Sequence, residues 1–405
     1  KNLAKEPSLQ SIEGGVSVAP LYRTWFEFTG WLLTAAGLLF LLQGQLNWWQ
    51  PAVLWVLFSV LFFLTRRLGY DPGAIPLLSI PVFCGWLFLT RLDPNYATGH
   101  FGGVMLGGLA FLLGVVLKPT KHVKPLFWGF AALVLLLITV LVGESVGGAK
   151  AWLTVLGLRF QPVELARIFV VLYLAQSLHG EQSEFELTCV LGCFFLLLAW
   201  QRDLGPALLV FFVFCWLSLA NHFSWYKLLA YFGTAIAGFV LAVQLFPHFR
   251  ARAVAWLWPW NYLDSIGYQV LQGLFALRAG GLVGQGLGGG HTHVIPQGHT
   301  DYLFAIIGEE LGFFGTFSLI LVYFALAFWA FRILGRIEDK KQQMIGLGLT
   351  LLLHGQVLLV IGGILRLVPF TGMTLPFMSY GSTSLVAQFW MIGILSGLTG
   401  NGGAS

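Results

Sequence analysis

The sequence predicts an all-α, polytopic membrane protein, and three observations predict it. Of 405 residues, 57% are hydrophobic and only 10% charged, with a mean hydropathy of +0.81. A soluble domain carries roughly a quarter charged residues. Apolar runs of membrane-crossing length follow one another along the chain, and Lys and Arg gather in alternate loops between them. This composition excludes a soluble globular enzyme, a disordered regulator and a disulfide-stapled secreted domain. The 50 Gly and 16 Trp suit helices that pack closely and are anchored at interfaces. The net charge of +5 reads as loop topology, so no nucleic acid is expected as a partner.

Residues 1–23 are polar, with Lys1, Lys5 and Arg23, and read as a cytoplasmic tail. A single membrane domain is expected over 24–399, with a short tail at 400–405. Twelve apolar runs lie at about 24–43, 51–66, 73–91, 101–118, 125–143, 162–178, 186–201, 203–221, 226–246, 302–333, 343–367 and 375–399. With both termini cytoplasmic, the inner loops hold Arg66 and Arg67, then Lys118, Lys121 and Lys124, then Lys227, then Arg332, Arg336, Lys340 and Lys341. The loop around Glu181, Glu184 and Glu186 breaks the pattern, but acids count little in it. The long loop 247–301, between the ninth and tenth helices, is then outside, as are 144–161 and 367–374. Cys84, Cys189, Cys193 and Cys215 all sit in apolar runs and read as small buried residues.

Polar residues that a bilayer would reject collect at the outer helix ends. In GAKAWLTVLGLRFQPVELAR, Gln161-Pro162 opens a helix and Glu164 and Arg167 share a face at i, i+3. They read as an acid favoured by the helix dipole and paired to its neighbour, or as the wall of a polar cavity. Asp203 in QRDLGPAL reads as an N-cap. The loop 247–301 brings Arg250 and Arg252, a Trp-rich segment, and an apolar helical pattern from Tyr268 to Leu277 suited to the bilayer surface. Its Gly-rich run from Gly280 to Gly290 could hold a pyrophosphate with backbone N–H groups. His291, His293, His299 and Asp301 allow a zinc reading, but the spacing is loose. Asp301, just before the tenth helix, reads as a general base or as a helix cap, held ionised by N-terminal N–H groups. Glu309 and Glu310 lie two turns into that helix and need partners or a cavity. TGMTLPFMSYGSTS places hydroxyls at the start of the last helix, for close helix packing or for a site.

Taken in order, these segments resemble the SEDS family (shape, elongation, division and sporulation), typified by RodA and FtsW, over about residues 125–399. PQGHTDYLFAIIGEELGFFG is similar to the family's P-x-x-HTDF-hydrophobic-GEELG. GYQVLQG and GGLVGQGLG resemble its GYQ-x-x-QS and GG-x-x-G-x-GLG; TLPFMSYGSTS resembles LPF-x-SYGGSS, QPVE resembles QPSE, DLGP resembles DLGT, and GAKAW resembles GARSW. Val163, Pro206 and Ser382 depart from these patterns; Val360 stands for a usual Asn and Arg366 for a small residue. Five helices precede QPVE where the family has three, so the family core of ten carries an extra N-terminal pair.

The resemblance implies a peptidoglycan glycosyltransferase that polymerises lipid II at the outer face of the bacterial cytoplasmic membrane, in elongation or division. Its partner would be a class B penicillin-binding protein transpeptidase, in a setting of membrane lipids. It implies Asp301 as the catalytic base. Lys150, Glu164, Arg167, Arg250, Arg252, Gln269, His299, Thr300, Ser379 and Tyr380 would bind substrate. A divalent cation, Mg or Mn, is a candidate for charge neutralisation; no organic cofactor is expected. A lipid-linked precursor flippase would want polar groups at mid-membrane and inner ends. A non-catalytic scaffold would not need an intact HTDY segment.

Overall fold

The computed structural model describes residues 49–117, 123–146, 148–155, 157–178, 183–221 and 224–400. The run 24–43 and the tail 1–23 lie outside the described residues. Each of the other apolar runs contains a helix: α1 (Trp49–Arg67), α2 (Ala74–Leu92), α3 (Pro94–Leu117), α4 (Pro125–Val142), α5 (Val163–Ser177), α6 (Glu184–Gln201), α7 (Leu204–Ala220) and α8 (Trp225–Leu245) come first. The long loop holds α9 (Pro247–Leu257) and α10 (Tyr268–Gly280), followed by α11 (Leu303–Leu334), α12 (Lys340–Ile364) and α13 (Ser382–Gly397). Eight of these, α1–α4, α6, α8, α11 and α12, are long and apolar enough to cross a membrane by length and composition.

Among the described helices from apolar runs, the three that are shorter are α5, α7 and α13, with 15, 17 and 16 residues. At 1.5 Å per residue they span roughly 22–26 Å, less than the roughly 30 Å of hydrocarbon. Their N-termini carry Glu164, Asp203 and Ser384. Polar, non-helical chain thus takes the place of their missing turns, all at one end of the bundle. The last helix begins at 382 and not 375, because Pro376 and the left-handed Phe377 (φ 62°) hold the preceding segment out of helix.

A helix apolar on all sides belongs in the middle of a bundle. In α5 only Leu165 and Phe169 escape full burial. In α8 only Leu228 is buried, so that helix stands on the lipid side. The most extensive packing joins α3 to α13, where a Cβ on Gly393 would come within 2.1 Å of the Phe111 carbonyl and one on Gly114 within 2.7 Å of the Trp390 carbonyl. Backbones meet there because no side chain intervenes. At the end of the bundle away from Asp203, Asp71 bonds Arg332 (3.1 Å), the Trp329 indole (3.1 Å) and the Gly73 N–H (2.7 Å), while its own N–H reaches Thr399 (3.1 Å). This ties the α1–α2 turn to α11 and to the end of α13.

Two features depart from the expected helix list. Three strands, β1 (Glu144–Val146), β2 (Ala149–Val155) and β3 (Leu158–Phe160), form a small antiparallel sheet in that order, with Glu144 opposite Trp152 and Leu153 opposite Phe160. And α11 is broken at Gly312 (φ 66°, ψ −163°), where no helical bond can continue. The Gly-rich run fills that break: Gln285 and Gly286 donate to the carbonyls of Glu309 and Glu310 (2.9 and 3.0 Å), and Phe313 donates to Gly281 (2.9 Å). The helix expected from Tyr268 to Leu277 is α10, and its buried Val270, Leu271, Gly273 and Ala276 pack it on α11.

Two outcomes follow from this architecture. Replacing Gly393 with Val should force α3 and α13 apart and lower stability by at least about 2 kcal/mol, read as a fall in Tm in detergent. In a background without native cysteines, Ser265→Cys should react with an impermeant thiol reagent in intact cells and Glu338→Cys only after permeabilisation, since the Lys/Arg bias puts them on opposite sides.

Candidate functional site

Asp301 ends a turn built on Gln297, whose φ is 54° and whose carbonyl accepts the N–H groups of Thr300 (3.1 Å), Asp301 (3.1 Å) and Tyr302 (3.3 Å). Tyr302 anchors this turn. It is fully buried, packs where a Cβ on Gly273 would come within 2.4 Å of its ring, and meets Phe370 at 4.9 Å. Tyr302, not Asp301, holds the cap position of α11, and no side chain caps that helix. The expectation that helix N–H groups hold Asp301 ionised is therefore corrected. Burial raises its carboxyl to about 7; the Thr300 hydroxyl and Arg252 oppose the rise, and Asp203 adds to it.

Arg252 reaches the same place from α9. Its Nη1 donates to the Thr371 carbonyl at 3.0 Å. Gly372 lies between the two groups: a Cβ there would sit 3.5 Å from Arg252 Nη2 and 3.7 Å from Asp301 Oδ2. Gly372 also has φ 71°, which L side chains rarely adopt, so the space beside the carboxylate stays open. Asp203, in the turn before α7, acts electrostatically on Arg252 and on Asp301 and feels Glu164 and Arg167 in turn. Gly205 packs α7 against this loop, as a Cβ there would meet the Thr371 carbonyl at 3.0 Å and Met373 at 2.9 Å.

Glu164 and Arg167 form a buried ion pair in α5. Arg167 is fully buried, and its Nε and Nη1 have no hydrogen-bond partner among the described residues. Ser384 of α13 also approaches the Glu164 carboxylate and bonds Thr374 (2.9 Å) and Gln388 (2.7 Å). Acids and cations therefore alternate from Asp301 through Arg252 and Asp203 to Arg167 and Glu164, held by four separate segments of the chain.

The model of the FtsW/RodA/SpoVE family, described as cell cycle protein, matches residues 96–401. The chain belongs to that family. A peptidoglycan glycosyltransferase RodA of Mycobacterium leprae is 30% identical over 381 residues, covering 85% of this chain and 81% of its own. A probable peptidoglycan glycosyltransferase FtsW of a Geobacter species is 30% identical over 326 residues, covering 77% and 86%. Among solved structures, Thermus thermophilus RodA is 26% identical with a TM-score of 0.59, covering 83% of this chain and 98% of that one. A chain of a peptidoglycan synthase complex that couples polymerization to crosslinking is 28% identical with a TM-score of 0.68, covering 82% and 97%. The protein is thus a multi-pass membrane member of the FtsW/RodA/SpoVE family, with α1 and α2 ahead of the family match.

Not every residue expected at the site of this family member is there. Lys150 lies on β2 and caps the end of α4, donating to Val140 (2.6 Å) and Leu141 (3.3 Å). Arg250 is exposed, and being two residues from Arg252 on a helix it faces another way. Gln269 ties α10 to the loop through the Pro296 carbonyl (3.3 Å), and the buried Ser379 accepts the Leu375 N–H (3.0 Å). Lys150, Gln269 and Ser379 thus bond the scaffold. Thr300 lies against Asp301, while His299 and Tyr380 join in an aromatic cluster beside it. Glu309 accepts the His291 N–H (2.9 Å) and so latches the end of the Gly-rich run, while Glu310 pairs with Arg91 of α2. The N–H groups of Gln285 and Gly286 in that run, candidates for pyrophosphate, are spent on the α11 break. Among the described residues no three His, Cys, Asp or Glu side chains converge on a metal site.

Asp203, Thr371, Gly372 and Tyr96 were not legible as site residues. For Asp203 the signal was present, an acid at the mouth of a short apolar helix, but capping explained it equally well. Tyr96 carries no signal in its own segment. Infrared carboxyl titration should show an acid titrating near pH 7 that Asp301→Asn removes. Arg252→Gln should move that midpoint up, and Asp203→Asn should move it down, since each deletes a charge of known sign beside the carboxyl.

Proposed function

We propose that this protein is a peptidoglycan glycosyltransferase that polymerises lipid II into glycan strands at the outer face of the bacterial cytoplasmic membrane, in elongation or division. The observation that carries it is the Asp301 carboxyl facing Arg252 across Gly372, at the polar end of an apolar bundle. Both termini would be cytoplasmic, and the loop carrying α9 and α10 external. A class B penicillin-binding protein would crosslink the product; a similar solved chain belongs to a complex that couples those two activities.

Lipid II brings a polyprenyl pyrophosphate, a good leaving group that needs cations and no nucleotide. Arg252, and Arg167 with its two unpartnered nitrogens, would offset its charge as the bond from the anomeric carbon to the pyrophosphate oxygen breaks. The N-termini of α5, α7 and α13 add positive dipole ends on the same side. Asp301, ionised above pH 7, would take the proton of the incoming sugar hydroxyl as its oxygen bonds that carbon. One displacement inverts the centre and gives a β-1,4 linkage. The residues present fit a divalent cation that travels with substrate phosphates, not a closed protein cage: Asp203 is the carboxylate that would hold Mg or Mn, with phosphate oxygens as further ligands. Bound there, such an ion would add positive charge at the leaving group.

Asp301→Asn should fold normally, since Asp301 caps no helix, and should lose lipid II polymerisation by roughly a hundredfold or more. The wild-type rate should fall about tenfold per pH unit below 7. A folded Asp301→Asn protein that polymerises lipid II at the wild-type rate would remove the base from this carboxylate.

A further inference from the structure

Tyr96, His299 and Tyr380 come from three places: the start of α3, the turn that carries Asp301, and the segment ahead of α13. Tyr96 and His299 stack face to face, with centroids 4.1 Å apart and planes 3° from parallel. Tyr380 leans on both, 5.3 Å from Tyr96 and 5.9 Å from His299, tilted 53° and 56°. The cluster is rigid. The Tyr380 N–H donates to the His299 carbonyl at 2.9 Å, and Tyr380 occupies the space a Cβ on Gly99 would need, 2.6 Å away. All three side chains keep part of their surface exposed. Neither Tyr hydroxyl has a hydrogen-bond partner among the described residues. Burial lowers the His299 imidazole below its usual value, so its ring is neutral at pH 7.

Interfacial aromatics that anchor a membrane protein do so by facing lipid. These three face one another, with His299 two residues from Asp301; the Tyr hydroxyls have no partner among the described residues, and each side chain keeps part of its surface exposed. Such a surface, apolar on the face and polar at the edge, suits a pyranose ring, which has an apolar C–H face and hydroxyls at its rim. The side of the site matters as well. Arg252 arrives on α9 and the leaving pyrophosphate belongs with it. In a single displacement the attacking hydroxyl approaches opposite the leaving group. His299 sits in the same turn as Asp301, the group that takes the proton of the attacking hydroxyl, so the platform belongs with the attacking sugar.

Resting on the glycosyltransferase reading above, we propose that Tyr96, His299 and Tyr380 form the acceptor-sugar subsite, stacking an N-acetylhexosamine of a β-1,4-linked strand so that its free hydroxyl meets Asp301. Tyr96 is the residue that completes it.

The test uses the full-length protein in nanodiscs, with lipid II polymerisation as the readout and a β-1,4-linked N-acetylglucosamine tetramer as a competing occupant. Tyr96→Leu should raise KM roughly threefold to tenfold and shorten the strands, with kcat changed little. Tyr96→Phe, which keeps the ring face, should restore most of the KM. The tetramer should inhibit wild type and Tyr96→Phe, and inhibit Tyr96→Leu far less. Wild-type KM and strand length in Tyr96→Leu, a loss confined to kcat, or no inhibition of wild type by the tetramer would each overturn the subsite. The last of these needs no variant to fold. Failure of the wild-type protein to polymerise lipid II would instead sink the glycosyltransferase reading itself.

Discussion

Two carboxyls buried near one another need a proton or a cation to offset their charge, and Arg252 is the cation that acts on both Asp203 and Asp301. The neighbouring Glu164–Arg167 pair repeats the pattern deeper in the bundle. Alternation makes the burial tolerable, yet it is incomplete: two nitrogens of Arg167 have no hydrogen-bond partner among the described residues, and the Asp301 carboxyl is lifted to about 7. A site whose charges were fully satisfied would have nothing left for a pyrophosphate or a proton.

The rest of the architecture serves that alternation. Short α5, α7 and α13 stop below the surface and leave room for polar chain. The breaks near Gly312 and Gly372 let backbone approach where side chains would intrude. The Gly-rich run, which sequence alone offers as a phosphate cradle, is consumed in pairing the carbonyls that the α11 break exposes. Glu309 on the His291 N–H and Glu310 on Arg91 of α2 explain two intramembrane acids without giving them chemistry. An unpaired backbone group in a bilayer is costly, and that demand outweighs the appeal of a free nest.

Lys150 and Arg250 teach a related lesson. Both are cations near the right place in the chain, and matched motifs imply both for substrate. One is drawn to the orphan carbonyls at the end of α4, as helix C-termini draw cations. The other points away because residues two apart on a helix do not share a face. Asp203 shows the reverse: its N-cap position is real, and the same position sets it beside Arg252.

The sequence by itself determined the membrane class, the family, the candidate base and the presence of a helix in each described apolar run. Each of these rests on local physics, namely apolar runs of a fixed length, charge bias in loops, and contiguous motifs. Only the tertiary structure decided which polar residues share a site. Thr371, Gly372, Asp203 and Tyr96 lie far apart in the chain, and what joins them to Asp301 is the packing of α3, α7, α9 and α13 against the turn at Gln297. It also decided the protonation range of Asp301, because burial depends on what surrounds a carboxyl and not on which residue follows it.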